Sequence, residues 1–127
     1  MSDALPGPTV LVVEDDTVTR YAAVTMIGDA GFSTREATNG NEAIRILDRE
    51  VGIRIVVTDI DMPLGIDGIK LAACIHRRSP RIGIIITSGK VRPKDGDVPS
   101  QGRFIRKPYT EDQLIGAIRA LLDLPQG

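Results

Sequence analysis

The sequence is poor in cysteine and in aromatic residues, and it contains no long apolar run. Its single cysteine, Cys74, excludes an internal disulfide, and no group of Cys and His residues has the spacing of zinc ligands. No apolar stretch approaches the ~18 residues of a membrane-spanning helix, and residues 1–8 lack the basic and apolar regions of a secretory signal. These absences predict a cytoplasmic protein that has no membrane contact.

The chain also lacks an excess of charge of either sign. Its 16 Lys and Arg residues stand against 17 Asp and Glu residues, so the net charge is −1 at pH 7. Direct nucleic-acid binding is not expected, because it ordinarily needs a strong positive field. A length of 127 residues, 42% of them hydrophobic, predicts one domain with one core. We expect this domain to span residues 9–123, between a flexible N-terminal tail of residues 1–8 and a C-terminal tail of residues 124–127.

Short apolar runs alternate with stretches of helical periodicity along the chain. The runs are rich in β-branched residues and mostly lack alternation, which is typical of strands buried on both faces of a parallel sheet. They predict strands at residues 9–13, 32–37, 54–58, 82–87 and 103–106. The periodic stretches predict helices at residues 18–30, 41–50, 68–77 and 110–122. Tyr21 and Ile27 are placed on the apolar face of the first helix, and Thr110 with Gln113 predicts a capping box at the last. Regular alternation of this kind predicts an α/β fold, a doubly wound parallel five-stranded sheet with helices on both faces.

Residues 88–102 occupy the place of a fourth helix but have the wrong composition for one. They contain three glycines and two prolines, which in a helix interior cost about 1 and about 3 kcal/mol each. Pro93 could begin a helix, but Pro99 leaves room for little more than a turn. We therefore predict a loop or a short, mobile helix in this segment.

Acidic residues follow two of the predicted strands. Glu14, Asp15 and Asp16 come directly after the first strand, and Asp59 ends the third. Because the carboxyl ends of parallel strands lie at one edge of the sheet, these carboxylates would repel one another unless a cation compensates. Mg²⁺ prefers one or two carboxylates plus a phosphate, and Glu14, Asp15 and Asp59 supply such a half-site. Asp16 is interpreted instead as the N-cap of the first helix.

Thr87 ends the fourth predicted strand, and Lys107 directly follows the fifth at the same edge. Threonine is common in strands, so Thr87 alone is a weak signal. Lys107 leaves a buried strand towards acidic groups, where its partner is either the Asp59 carboxylate or a phosphoryl oxygen. A carboxylate nucleophile, a metal half-site, a hydroxyl group and a lysine are together what phosphoryl transfer to an aspartate requires.

Four stretches of the sequence resemble the receiver domain of two-component response regulators. They are residues 10–16, residues 57–63 with 67–68, residues 84–88 and residues 104–108, and the resemblance covers the chain from Thr9 to Leu122. It implies a doubly wound (βα)5 domain of strand order 2-1-3-4-5, which with the composition of residues 88–102 gives a short or irregular fourth helix. It also implies that Asp59 accepts a phosphoryl group from a histidine kinase or a histidine phosphotransfer protein.

The resemblance assigns a metal site beside this acceptor. Glu14 and Asp15 match the acidic pair that binds Mg²⁺ in receivers, and Asp59 contributes to the same site. Asp61 matches the position whose backbone carbonyl also binds the metal. Mg²⁺ is therefore the cofactor that the resemblance implies.

The resemblance also implies a switch. Thr87 matches the hydroxyl that hydrogen-bonds the phosphoryl group, Lys107 the ion-pairing lysine and Phe104 the aromatic switch residue. On phosphorylation Thr87 would move towards the new oxygens and Phe104 would fill the space that it leaves. The Lys107–Pro108 peptide is implied to be cis. The expected output is a changed surface for an unidentified downstream protein, with only self-phosphorylation and slow self-dephosphorylation as activity, and hence not an enzyme.

The sequence departs from the usual receiver pattern at several points. The loop of residues 63–68 is one residue longer than the commonest version, and Phe104 stands where tyrosine is common. Residues 88–102 alter the face through which receivers pair, which predicts a monomer or a weak dimer. The sequence stops at Gly127, so we expect a stand-alone receiver.

Two other interpretations remain open. Residues 55–61 imitate the Asp-x-Asp signature of Mg²⁺-dependent phosphohydrolases of the haloacid dehalogenase type, although the acidic metal pair comes last in those enzymes and first here. Repeated turnover of phosphate esters would distinguish such a hydrolase from a receiver that takes up one phosphoryl group. The second interpretation is an unphosphorylated binding module, and the complete set of acids, aspartate and lysine argues against it.

Overall fold

Five strands and four helices make up the part of the chain that the structure describes, residues 8–62, 65–90 and 92–123 of a computed structural model. In chain order they are β1 (Thr9–Val13), α1 (Thr17–Asp29), β2 (Ser33–Ala37), α2 (Gly40–Arg49), β3 (Ile53–Asp59), α3 (Gly68–Arg78), β4 (Gly83–Ser88), β5 (Gly102–Arg106) and α4 (Glu111–Leu122). The five strands and four helices predicted from the apolar and periodic stretches are all present, with bounds within one residue of the prediction. The predicted tails lie outside the described residues except for Pro8, as do Pro63 and Leu64 of the lengthened loop.

The strands form one parallel sheet of order β2-β1-β3-β4-β5, which confirms the predicted topology. Helices α2 and α3 pack on one face of the sheet, and α1 and α4 pack on the other. Strand β4 is buried at every position, which explains why its three consecutive Ile residues do not alternate with polar residues. None of the described helices is long and apolar enough to cross a membrane.

Each helix begins at a polar side chain that caps it. The side chains of Asp16, Asn39, Asp67 and Thr110 accept hydrogen bonds from backbone N–H groups three residues further on, which satisfies donors that the first turn leaves free. At α4 the Gln113 side chain also accepts from the Thr110 backbone, so the predicted capping box is confirmed.

The inner face of α1 differs from the prediction. Ile27 is fully buried, as expected, but Tyr21 is 71% exposed and Ala23 takes its place in the core. Tyr21 and Ile27 are six residues apart, or about 600° of rotation, so they lie well away from one helix face. Ala23 and Ile27, four residues apart, share a face.

No regular helix lies between β4 and β5 among the described residues of this segment, which confirms its irregular character. The Lys94 N–H donates to Asp97 Oδ2 at 2.7 Å, which closes a turn ahead of Pro99. Val98 and Phe104 are both partly buried against the core that α2 and α3 cover. The segment between β4 and β5 is therefore a coil that packs on the sheet through the Val98 side chain, at the place where a helix would otherwise cover the sheet.

Candidate functional site

The carboxyl ends of β1 and β3 bring three acidic residues together. Glu14 and Asp15 follow β1 directly, Asp59 is the last residue of β3, and the two strands are neighbours in the sheet. One carboxylate oxygen of each residue lies within 4.8 Å of the others. Glu14 and Asp59 are buried, whereas Asp15 is exposed and leaves one side open to solvent. Three hard oxygen donors with an open side are a set that suits Mg²⁺.

Glu14 is held by contacts from three directions. Its Oε1 accepts a hydrogen bond from Lys107 Nζ at 2.7 Å, and its Oε2 accepts one from the Asp16 N–H at 3.1 Å. The Glu14 backbone carbonyl accepts from Arg20 Nη1 at 2.8 Å, and the same guanidinium pairs with Glu36 at 3.1 Å. Burial raises the pKa of Glu14, and the contacts with Lys107 and the Asp16 N–H offset part of that rise.

Asp59 has one paired oxygen and one unpaired oxygen. Its Oδ2 lies 3.4 Å from Lys107 Nζ, whereas its Oδ1 is buried and has no hydrogen-bond partner among the described residues. A buried carboxylate oxygen without a partner is costly, and a cation or a proton would relieve that cost. Burial raises the pKa of Asp59, while the positive charge of Lys107 and the Asp61 N–H lower it by less.

Lys107 bridges the two buried carboxylates. Its nearer partner is Glu14, at 2.7 Å, and its farther partner is Asp59, at 3.4 Å. Burial acts to lower the pKa of Lys107, but the hydrogen bond to Glu14 and the charge of Asp59 outweigh it, so the pKa is raised. The peptide that joins Lys107 to Pro108 is cis, as the resemblance implies.

Asp16 lies outside this cluster and caps α1. Its Oδ2 accepts hydrogen bonds from the Thr19 N–H at 2.8 Å and from Thr19 Oγ1 at 2.6 Å. These bonds lower the pKa of Asp16. The interpretation of Asp16 as an N-cap and not a metal ligand agrees with this geometry.

The two predicted switch residues lie on neighbouring strands. Thr87 is paired with Asp59 across β3 and β4, and its buried hydroxyl donates to the Thr58 carbonyl at 3.5 Å instead of to the acceptor. Phe104 lies on β5, where it is paired with Ile86 of β4, and it is half-buried. The register pairs Thr87 with Ile105 and not with Phe104, and the predicted exchange between the Thr87 and Phe104 side chains stays a prediction.

Asp61 is exposed beyond the end of β3. Its Oδ2 accepts a long hydrogen bond from Ser88 Oγ at 3.4 Å, and its backbone N–H lies close enough to Asp59 to lower that pKa. The metal-binding role of its carbonyl stays a prediction.

The sequence analysis missed two residues that shape the site. The Arg20 side chain holds the loop that follows β1 in place, but nothing in the sequence distinguishes it from any other arginine on a helix surface. Gly68 begins α3 so close to the acceptor that a Cβ would lie 2.0 Å from the Asp59 carbonyl oxygen. A glycine directly after the Asp67 cap is a signal for such close approach.

The raised pKa values of Glu14 and Asp59 predict how stability depends on pH. Ionising Glu14 and Asp59 costs more free energy in the folded protein than in the unfolded chain. This difference is a penalty on folding that is present at neutral pH. It is relieved as pH falls through the raised values towards the ordinary values of 4.5 and 3.8. Without divalent cations, the unfolding free energy of the wild type should therefore rise relative to that of Glu14→Gln/Asp59→Asn between neutral pH and about pH 5. Urea unfolding in EDTA measures this difference, and a constant or falling difference would contradict it.

A parallel sheet of this order, with acids, a threonine and a lysine gathered at its switch point, defines an α/β domain of the receiver type. The family described as the response regulator receiver domain matches residues 10–119, and the chain belongs to this family.

Known relatives and solved structures agree with this family. A response regulator receiver protein from Sinorhizobium medicae superposes with a TM-score of 0.88 at 28% identity, covering 94% of this chain and 98% of that one. Protein PilG of Pseudomonas aeruginosa is 28% identical over 126 residues, which is 94% of this chain and 91% of PilG. The sensor kinase CckA of Brucella abortus is 30% identical over 126 residues, which is 96% of this chain.

Several of the curated relatives are much longer proteins. The chain spans 13% of CckA and 48% of the aerobic respiration control protein ArcA of Escherichia coli. The chain therefore matches only a part of each of these proteins.

Proposed function

We propose that residues 9–123 form a phosphoacceptor switch in which Asp59 receives a phosphoryl group from a histidine kinase or a histidine phosphotransfer protein. The observation that carries this proposal is the environment of the buried Asp59 carboxylate. Two further carboxylates lie within 4.8 Å of it, and the Lys107 ammonium lies 3.4 Å away. The proposal includes the expected cytoplasmic location, the absence of direct nucleic-acid binding and the monomeric or weakly dimeric state.

The transfer step uses one carboxylate oxygen of Asp59 as nucleophile. An O–P bond forms as the N–P bond of a phosphohistidine breaks, and the bonding electron pair returns to the imidazole nitrogen of the donor. Lys107 places a positive charge beside the incoming phosphoryl oxygens. Glu14, Asp15, Asp59 and the Asp61 carbonyl would hold Mg²⁺, which when bound neutralises charge on those oxygens.

The switch step follows from the new charge on Asp59. An aspartyl phosphate offers strong acceptor oxygens next to Thr87, whose hydroxyl now has only a long bond to the Thr58 carbonyl. We infer that Thr87 turns to those oxygens and that the Phe104 ring moves inward. The downstream protein reads this population shift at the surface around β5.

The site for the phosphodonor lies beside Lys107. A groove of about 580 Å³ runs between α1 and the residues that follow β5, and its apolar walls include Val18, Ala22, Met26 and Tyr109. Val18 is 77% exposed, which is unusual for a large apolar side chain without a partner. Lys107 itself lines this groove, so a helix that docks there would bring a phosphohistidine to the acceptor.

Val18→Asp is expected to slow phosphotransfer from a histidine kinase by tenfold or more, because it places a charge on the apolar wall of the groove. Labelling by acetyl phosphate should stay at the wild-type rate, since a small donor does not use the groove. Val51→Asp is the matched control, because Val51 is fully exposed at the other end of the sheet. The measurement is the initial rate with whichever autophosphorylated kinase labels the wild type fastest. Equal slowing by both variants, or slowing of acetyl phosphate labelling, would exclude the groove as the docking site.

Stoichiometry distinguishes this function from a phosphohydrolase. Incubation with acetyl phosphate and Mg²⁺ should add one phosphoryl group to each chain, which intact-mass spectrometry detects. A haloacid dehalogenase-type enzyme would instead release phosphate from many substrate molecules per chain. The match to the receiver family does not favour that alternative. Continued release of phosphate from simple phosphate esters would overturn the proposed function.

A further inference from the structure

A groove of about 520 Å³ lies at the opposite end of the sheet from Asp59, beyond the last turns of α2 and α3. We call it the lower groove. Its floor continues the core that α2 and α3 cover, because Ile53 belongs to that core and Leu47 and Ile82 pack against it. Val51 also lines the groove and is fully exposed. The lower groove therefore offers an apolar surface that is open to solvent.

A β-bulge in β3 directs Arg54 towards this groove. Thr9 of β1 is paired with Ile53, and the next residue of β1 is paired with Ile55, which leaves Arg54 as an extra residue in the strand. Successive side chains of a regular strand point to opposite faces of the sheet, and a bulge breaks that alternation. Ile53 and Arg54 accordingly both line the lower groove. Bulges are rare between parallel strands and are often found where a side chain is directed to a functional site.

Two guanidinium groups of the lower groove are not neutralised by an acid. Among the described residues, neither Arg54 nor Arg81 forms an ion pair. Glu50 also lines the groove, but its Oε1 lies 2.8 Å from Arg35 Nε and is paired there. The negative ends of the α2 and α3 dipoles face this end of the sheet, and basic residues in the last turn of each helix already complement them. Arg54 and Arg81 thus leave positive charge available to a ligand.

We propose that the lower groove binds a small organic anion with an apolar body, its anionic group held by Arg54 and Arg81 and its apolar part resting on Val51. Guanidinium groups form charge-assisted, often paired hydrogen bonds with the oxygens of such anions. The volume of about 520 Å³ lies within the range of about 300–1,000 Å³ that is usual for small-molecule sites. This inference goes beyond the proposed function, because binding requires neither Asp59 nor a phosphoryl group.

The test titrates the unphosphorylated full chain with 8-anilinonaphthalene-1-sulfonate, an aromatic anion whose fluorescence rises on an apolar surface. Binding should be saturable and should weaken as salt is added. Arg54→Gln/Arg81→Gln should weaken the affinity about tenfold, since two partly exposed ion pairs together contribute about that factor. The matched control Arg45→Gln/Arg119→Gln removes two charges from exposed positions outside the groove and should bind within about twofold of the wild type.

A neutral probe separates the charge from the apolar contact. N-phenyl-1-naphthylamine lacks the sulfonate and should bind the wild type about tenfold more weakly than the anion does. Arg54→Gln/Arg81→Gln should leave its affinity unchanged within about twofold, because the neutral probe has no charge for the guanidinium groups. Amide chemical shifts should locate the anionic probe, with the largest changes at residues 50–54 and 79–82.

Four outcomes would overturn the proposal. They are the absence of saturable binding, equal weakening by the two double variants, equal affinity for the neutral and anionic probes, and shift changes confined to the groove beside Lys107. Labelling by acetyl phosphate keeps the two proposals separate. Arg54→Gln/Arg81→Gln should be labelled like the wild type, and lost labelling in the wild type would count against the phosphoacceptor function alone.

Discussion

Replacing Asp59 with asparagine will abolish covalent phosphorylation of the chain while leaving its fold unchanged. The amide is nearly identical in shape to the carboxylate but is a far weaker nucleophile, so the O–P bond cannot form. The substitution also removes one of two buried carboxylates that share the Lys107 ammonium, so it relieves charge repulsion. Intact-mass spectrometry after treatment with acetyl phosphate and Mg²⁺ should show no phosphorylated species, against a large fraction for the wild type.

Asp61→Asn is the matched control for this experiment. Asp61 is an exposed acid two residues from the acceptor, and its proposed contribution to the metal is through its backbone carbonyl, which the substitution keeps. It should retain labelling. Far-UV circular dichroism and thermal melting should show that both variants are folded. Undiminished labelling of Asp59→Asn would move the acceptor to another residue.

Replacing Lys107 with methionine is expected to lower the free energy of unfolding by about 2–4 kcal/mol in the absence of divalent cations. Among the described residues, the lysine is the only cation that forms an ion pair with the buried carboxylates of Glu14 and Asp59. Its removal leaves two carboxylates in a desolvated site without a counter-charge. Lys70→Met, at an exposed position on α3, is the control and should change stability by less than about 0.5 kcal/mol.

Mg²⁺ should restore part of the stability that Lys107→Met loses. The Lys107 ammonium neutralises the carboxylates of Glu14 and Asp59, and a divalent cation would act on the same two together with Asp15. The gain in stability on adding Mg²⁺ should therefore be larger in the variant than in the wild type. A ligand at a hundred times its dissociation constant stabilises a folded protein by about 2.7 kcal/mol. Urea unfolding with and without millimolar Mg²⁺ measures both gains. Unfolding curves of the wild type that do not respond to Mg²⁺ would count against the metal site.

Much of the fold could be predicted because its strands differ in composition from its helices and coil. The three consecutive Ile residues of β4 do not alternate with polar residues, which is typical of a strand in a sheet covered on both faces. Gly and Pro in the following coil exclude a regular helix there. The order of the strands could not be derived from these patterns, because each buried strand looks alike. It came from the resemblance to receivers. The prediction that Tyr21 lies on the buried face of α1 was wrong. A tyrosine side chain has an apolar ring and a polar hydroxyl group, so it can also lie at the surface.

The residues that form the site could be predicted from the sequence, but the contacts between them could not. Residues at the carboxyl ends of parallel strands must meet, so Glu14, Asp15, Asp59 and Lys107 could be grouped from their positions alone. The sequence reasoning named Asp59 as the carboxylate partner of Lys107, whereas the closer contact is with Glu14. The difference between 2.7 and 3.4 Å depends on side-chain rotamers, which a linear pattern does not encode.

The missing Cβ at Gly68 has a mechanical consequence for signalling. The first residue of α3 rests on the Asp59 carbonyl oxygen, and the Gly68 N–H donates to the neighbouring Ile60 carbonyl at 3.1 Å. We therefore expect the peptide that carries Asp59 and the first turn of α3 to move together. A displacement of that peptide on phosphorylation of Asp59 would reach α3 through backbone contacts, without an intervening side chain.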